Sequence, residues 1–232
     1  MQEIKKSIVG ITLGIRFSRS FRIPDMSGEI IDNILNDPNS PFDNKFFPKI
    51  TETSSKEKTL YNNNGENLKI TSDDFIVSIK VDNNFEEKFN FLSKKVTEYF
   101  YSIFDLFSIE NINRVGVLFY CDIENTDISE KTIDLLTNKT VDNLQNFSMS
   151  FSQKKQTTEG LIKKGVKDYI NIIYGLNKNK EVDKLEFNFD YQKFFIPALS
   201  KLSKANIDDQ LKKALSELET TYSKWLSSYD KQ

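Results

Sequence analysis

SIVGITLGIRF, residues 7–17, alternates apolar with small or polar side chains without a break. Val9, Ile11, Leu13, Ile15 and Phe17 fall on one side, and Gly10, Thr12, Gly14 and Arg16 on the other. Successive side chains of a strand point to opposite faces of a sheet. This period of two, rich in β-branched residues, therefore predicts a half-buried strand. Lys5 and Lys6 in front of it give a superficial likeness to a secretory leader. The apolar part is short, holds two glycines, and runs into Arg16 with no small-residue cleavage site, so a first strand is expected instead.

Working outward, Ser27 to Asn36 predicts a short helix capped by Ser27, and Pro38 and Pro41 end it. Extended pieces follow at Phe47–Thr53, Lys58–Tyr61 and Leu68–Ile70, with the polar stretch 62–67 as a hairpin turn, and then a strand at Phe75–Val81. Phe85, Phe89, Leu92, Val96, Tyr99, Phe100, Ile103 and Phe107 recur at i, i+3, i+4, which predicts a long amphipathic helix over Phe85–Ile109. RVGVLFYCD, residues 114–122, is apolar on both sides for much of its length. It predicts a central strand, covered on both faces or lying next to a second layer.

Beyond a short helix at Ile128–Leu136, strands are expected around Phe147–Phe151, Tyr169–Leu176 and Leu185–Tyr191, joined by loops at 153–165 and 177–184. A terminal helix, Ile207–Tyr229, carries Leu211, Leu215, Leu218, Tyr222, Trp225 and Leu226 on one stripe, with Asn206 as its cap. The expected fold is α+β, with mostly antiparallel sheet in two ferredoxin-like-type halves, each covered by a long helix. Residues 1–124 would form the first half and 125–232 the second. The strand at 114–122 must pair with the first half, so the two are expected to fuse into one compact unit.

Composition narrows the chemistry. The chain of 232 residues has 38% apolar and 28% charged residues, which suits a packed core. Nineteen phenylalanines make packing the first explanation for any aromatic stripe. There is no histidine, which removes His-dependent nucleophilic triads and His-ligated metal sites. The single cysteine, Cys121, lies in an apolar strand, reads as an inert core residue, and admits no intramolecular disulfide. With no apolar run near the ~20 residues of a membrane span, a cytoplasmic protein is expected, without cofactor, metal or membrane attachment. A net charge of −2 gives no overall attraction to nucleic acid.

The opening strand, the later INRVGVLFYCDIE after a long helix, and LEFNFDY before a terminal helix resemble a sporadically distributed family of uncharacterised prokaryotic proteins. The likeness centres on the R-x-G-hydrophobic-aromatic strand, here Arg114, Gly116, Leu118 and Tyr120. The resemblance implies an accessory protein of a prokaryotic system, of the antiviral or mobile-element kind. It supplies no catalytic residues.

Three groups stand out as candidate sites. Three of the four arginines, Arg16, Arg19 and Arg22, lie within seven residues, and Arg114 could join them if its strand neighbours the first. Guanidinium groups suit bidentate binding of phosphate or carboxylate. The competing explanation is local pairing with Asp25, Glu29 or Asp122. The stretch 153–180 carries Lys154, Lys155, Lys163, Lys164 and Lys167 near Tyr169 and Tyr174, a pattern able to follow a phosphate backbone. Solvated loops with tyrosines packed into the sheet explain it as well. Trp225 and Tyr229 could form a partner or dimer contact. The sequence thus points to a non-catalytic binding protein for a protein partner or an anionic ligand. The alternative is an RNA-binding protein, or a metal-independent RNA-processing nuclease with tandem ferredoxin-like folds.

Overall fold

The computed structural model describes residues 2–43, 45–54, 57–124, 147–157, 168–178 and 184–229. Nine strands form one sheet: β1 (Ile8–Phe17), β2 (Lys49–Ser54), β3 (Glu57–Tyr61), β4 (Asn67–Thr71), β5 (Asp74–Lys80), β6 (Ile112–Ile123), β7 (Phe147–Gln156), β8 (Tyr169–Lys178) and β9 (Leu185–Leu199). Their spatial order is β2-β3-β4-β5-β1-β6-β9-β8-β7, and every neighbouring pair is antiparallel. The fold is α+β around a large antiparallel sheet. β6 pairs with β1 on one side and β9 on the other, so the hydrogen-bonded ladder runs unbroken past residue 124. Because β5 and β6 both run antiparallel to β1, they are parallel to each other with β1 between them. The helical segment that joins them makes a split β-α-β unit.

The helices are α1 (Gln2–Ser7), α2 (Arg22–Asn36), α3 (Phe85–Asn90), α4 (Thr97–Leu106) and α5 (Ile207–Tyr229), with a 3₁₀ turn at Leu202–Ala205. α3 and α4 are joined without a loop by a π-helical segment, Phe91–Val96. Thr97 Oγ1 donates to the Leu92 carbonyl five residues back at 2.9 Å, a partner that suits the wider turn. α2 starts five residues before the expected cap. Pro24 sits in the first turn, where a missing N–H costs nothing, and Ser27 is buried inside the helix with its hydroxyl donating to the Pro24 carbonyl. α5 begins where expected. Asn206, in the left-handed region at φ 48°, accepts from Asp209 N at 3.4 Å, and Tyr101 Oη accepts from Ile207 N at 3.0 Å.

The buried phenylalanines cluster on one side of the sheet, whereas Phe21 is exposed and Phe194 lies on the other side. Phe104 of α4 meets Phe17 of β1 at 5.9 Å and Phe75 of β5 at 5.1 Å, both edge-on. Phe100 packs on Phe75 and Phe42, and Trp225 of α5 lies 5.6 Å from Phe187 of β9. Fully burying a side chain of this size stabilises the fold by about 3 kcal/mol. The odd-numbered residues of β1 from Ile11 to Phe17 and of β6 from Val115 to Cys121 are all buried on this side.

Among the described residues, no layer covers the other side of the sheet. Residues 114, 116, 118 and 122 of β6 are half-buried and Tyr120 is 39% exposed, so this central strand is not covered on both faces. The apolar run misled because Leu118 and Tyr120 rest on a face lined by Gly10, Thr12 and Gly14 rather than under a second layer. β7 runs on to Gln156, so residues 153–156 are strand rather than loop. The helix expected at 128–136 lies outside the described residues.

Candidate functional site: an arginine pair on the open face

Register decides which polar side chains meet. Read across the sheet on the open side, one row runs Asp74 (β5), Arg16 (β1), Arg114 (β6), Phe194 (β9), Tyr169 (β8) and Gln156 (β7). Neighbours in such a row stand about 5 Å apart.

Asp74 and Arg16 form the fixed end. Arg16 Nη2 donates to Asp74 Oδ2 at 2.6 Å, and Arg16 Nε donates to Oδ1 at 3.0 Å, a two-pronged pair. The hydrogen bond to Asp74 raises the Arg16 pKa above its usual value. Asp74 is itself buried, at the β4–β5 turn, where Thr71 Oγ1 accepts from its backbone N–H.

Arg114 is placed differently. Its Nη2 is 3.9 Å from Asp74 Oδ1, beyond hydrogen-bond distance, and its guanidinium lies 5.7 Å from the Phe194 ring centre. Among the described residues it donates no side-chain hydrogen bond. Burial lowers its pKa, and the positive charge of Arg16 lowers it further. A guanidinium has five N–H donors in a fixed fork. This one is three-quarters shielded from water, and the Asp74 carboxylate lies 3.9 Å from it. Asp190, two residues along β9 from Gln192, is the other nearby acid. Burial raises its pKa, while a 2.6 Å hydrogen bond from Gln192 Nε2 and the charge of Arg114 act against the rise.

The row continues as a stack. Phe194 and Tyr169 lie face to face, 4.5 Å apart at 8°, and the Lys154 ammonium sits 3.8 Å from the Tyr169 ring centre. Arg114, Phe194, Tyr169 and Lys154 thus form cation, ring, ring, cation across four strands. The cations at its two ends are about 14 Å apart by strand spacing. Farther along the same face a cleft of about 580 Å³ lies over Gly10 and Thr12, with Lys80, Tyr120 and Asp122 at its margins.

The sequence candidates separate. Arg16 and Arg114 come together, directly opposite each other in the β1–β6 register. Arg19 and Arg22 are exposed, at the β1–α2 connection and the start of α2, and do not join them. The acid that Arg16 takes is Asp74, from a strand far along the chain, and Asp122 instead binds Lys184. Lys155 pairs with Glu217 of α5 at 2.7 Å. Lys163, Lys164 and Lys167 lie outside the described residues. Tyr174 packs between Phe151 and Phe189 on the covered side. Trp225 is half-buried against Phe187 and Tyr222, and the Tyr229 side chain is outside the described residues. Cys121 is buried, and burial pushes its thiol pKa up, away from a reactive thiolate.

Sequence reading missed Asp74 and Phe194 as the partners of the arginines. The Asp73-Asp74 pair before a strand was the only signal, and it names no partner. No three of Asp, Glu and Cys cluster for a metal ion among the described residues, and no helix there is long and apolar enough to cross a membrane.

No family model matches the chain. The curated proteins likewise contain no significant match to it.

Proposed function

We propose that the protein is a non-catalytic binding protein that takes the anionic group of a partner, a phosphate or a carboxylate, on Arg114 at the open face of its sheet. The observation that carries this reading is the guanidinium of Arg114. It is largely shielded, rests against Phe194, and has donors that no described residue uses. Asp74 and Arg16 hold one another rigidly and leave Arg114 in excess, so an arriving oxyanion would gain charge-assisted hydrogen bonds at a site already desolvated. An accessory role in a prokaryotic antiviral or mobile-element system belongs to the same reading, as does a ferredoxin-like character of the two halves. The split β-α-β unit supports the latter for the first half alone.

The test is calorimetric titration with pyrophosphate at low and at ~0.15 M salt. Arg114→Lys keeps the charge but loses the fork, and should weaken binding at least tenfold, while Arg19→Ala should leave it unchanged. Equal binding by wild type and Arg114→Ala would refute the site.

A second reading, RNA binding, is favoured by the alignment of Tyr169, Phe194, Arg114 and Lys154 on one open sheet face. The stack itself weighs against it. Each ring already contacts the other and a cation, so a base would compete with them to stack. Fluorescence anisotropy with a labelled single-stranded RNA separates the readings. Salt-sensitive binding that Tyr169→Ala abolishes would favour RNA, and no binding at low salt would remove it.

A further inference from the structure

The two edges of the sheet are built differently. At one end, β2 is six residues long, carries Lys49 and Glu52, and has an irregularity in its register between Glu52 and Ser54. Charges, shortness and bulges are the usual protections of a sheet edge against pairing with another chain. β7, at the other end, has none of them over most of its length. It is ten residues long, pairs with β8 in unbroken register from Phe147 to Gln156, and has no charged residue before Lys154. Among the described residues, its stretch 148–152 is also exposed on both faces. Met149 is 37% and Phe151 49% exposed on the side that faces the core elsewhere, and Ser148, Ser150 and Ser152 are exposed on the other.

We infer that the outer edge of β7 pairs antiparallel with the same strand of a second copy of this chain, which makes the protein a weak homodimer with a sheet continuous across its two-fold axis. The strand's own pattern selects the occupant. A neighbour on this edge must offer apolar side chains toward Met149 and Phe151 and small polar ones toward the serines, and β7 has that alternation itself. With the axis through Ser150, Met149 of each copy lies opposite Phe151 of the other, and Ser148 lies opposite Ser152. Residues opposite each other then share a face, as antiparallel pairing requires. The sulfur–ring contacts extend the stack that Phe151 already makes on Tyr174 at 4.9 Å. This register leaves the two Lys154 residues about 27 Å apart along the strand, so the lysines at the ends of the edge do not oppose one another. A strand-to-strand contact buries less than the ~1,200 Å² of a stable interface, so the dimer is reversible and concentration-dependent.

Sedimentation velocity of the full chain over a wide concentration range tests this. Wild type should pass from monomer to dimer. Phe151→Lys alone and Met149→Glu alone should each weaken self-association at least tenfold, with circular dichroism spectra unchanged. Mixing the two should restore dimer. Only the mixed pair sets the introduced carboxylate opposite the introduced ammonium while keeping one Met149–Phe151 contact. A wild type that stays monomeric at every concentration overturns the inference. So does a dimer indifferent to Phe151→Lys, or variants that fail to complement when mixed.

Discussion

The two faces of the same sheet follow opposite rules. On the covered side, Phe104 meets Phe17 and Phe75, and Phe100 meets Phe75, edge to face, and each ring is almost wholly buried. On the open side, the same strands β5, β1 and β6 present Asp74, Arg16 and Arg114 in one row, with Gly14 and Gly116 in the next row and Gly10 farther along β1. The covered face holds the molecule together through area removed from water, which is non-directional. The open face does so through a few directed contacts whose strength water limits. Stability should therefore reside on one face and recognition on the other.

Phe104→Ala is the strongest way to break that contrast. It removes a ring that touches two strands and should cost about 3–5 kcal/mol in urea denaturation. Leu118→Ala, on the open face of β6, should cost no more than about 1 kcal/mol in the same experiment, because the side chain is only half-buried. Comparable losses at the two positions would mean that the open face is covered in solution.

Next in size is Asp74→Ala. It leaves Arg16 without its two-pronged partner and Arg114 with Asp190 as its remaining nearby acid, and should cost about 1–2 kcal/mol. Arg16 is exposed enough for water to replace much of the pair. The same substitution should tighten pyrophosphate binding, since both guanidiniums become available. Weaker binding would mean that Asp74 positions Arg114 rather than competing for it.

Asp190→Asn sharpens the comparison through pH. The folded-state pKa of Asp190 is raised, so the folded protein holds a proton that the unfolded chain has released. Its contribution is then fully present below the unfolded pKa and is lost as pH rises through the folded value, so stability falls across that window. Urea midpoints measured across mildly acidic pH should show this decline in wild type and a flatter profile in Asp190→Asn. An unchanged profile would assign the decline to another group.

The smallest effect is expected for Gly10→Ala. An added Cβ would come 3.3 Å from Tyr120 Cδ2, but that ring is exposed and able to move. The strain and the lower chain entropy of alanine should roughly cancel, which leaves stability within about 0.5 kcal/mol of wild type. A large loss would show that the Tyr120 ring is held in place.

The period of two in 7–17, the apolar run at 114–122, and the 3.6-residue stripes at 85–107 and 207–225 are local properties of the chain. The strands, the long helices and the buried sets they define were legible for that reason. So was the absence of histidine chemistry, which depends on composition alone. The start of α2 was not legible from Ser27, because a proline in a first turn and a proline in a loop look alike in sequence. The open side of β6 was hidden because Leu118 and Tyr120 are apolar whether or not a layer covers them. The union of Arg16 with Asp74 and Arg114, the resting of Arg114 on Phe194, and the bare edge of β7 depend on which strands become neighbours and in what register. Those pairings join residues that lie far apart along the chain. No local pattern encodes them, and only the closing of the whole sheet fixes them.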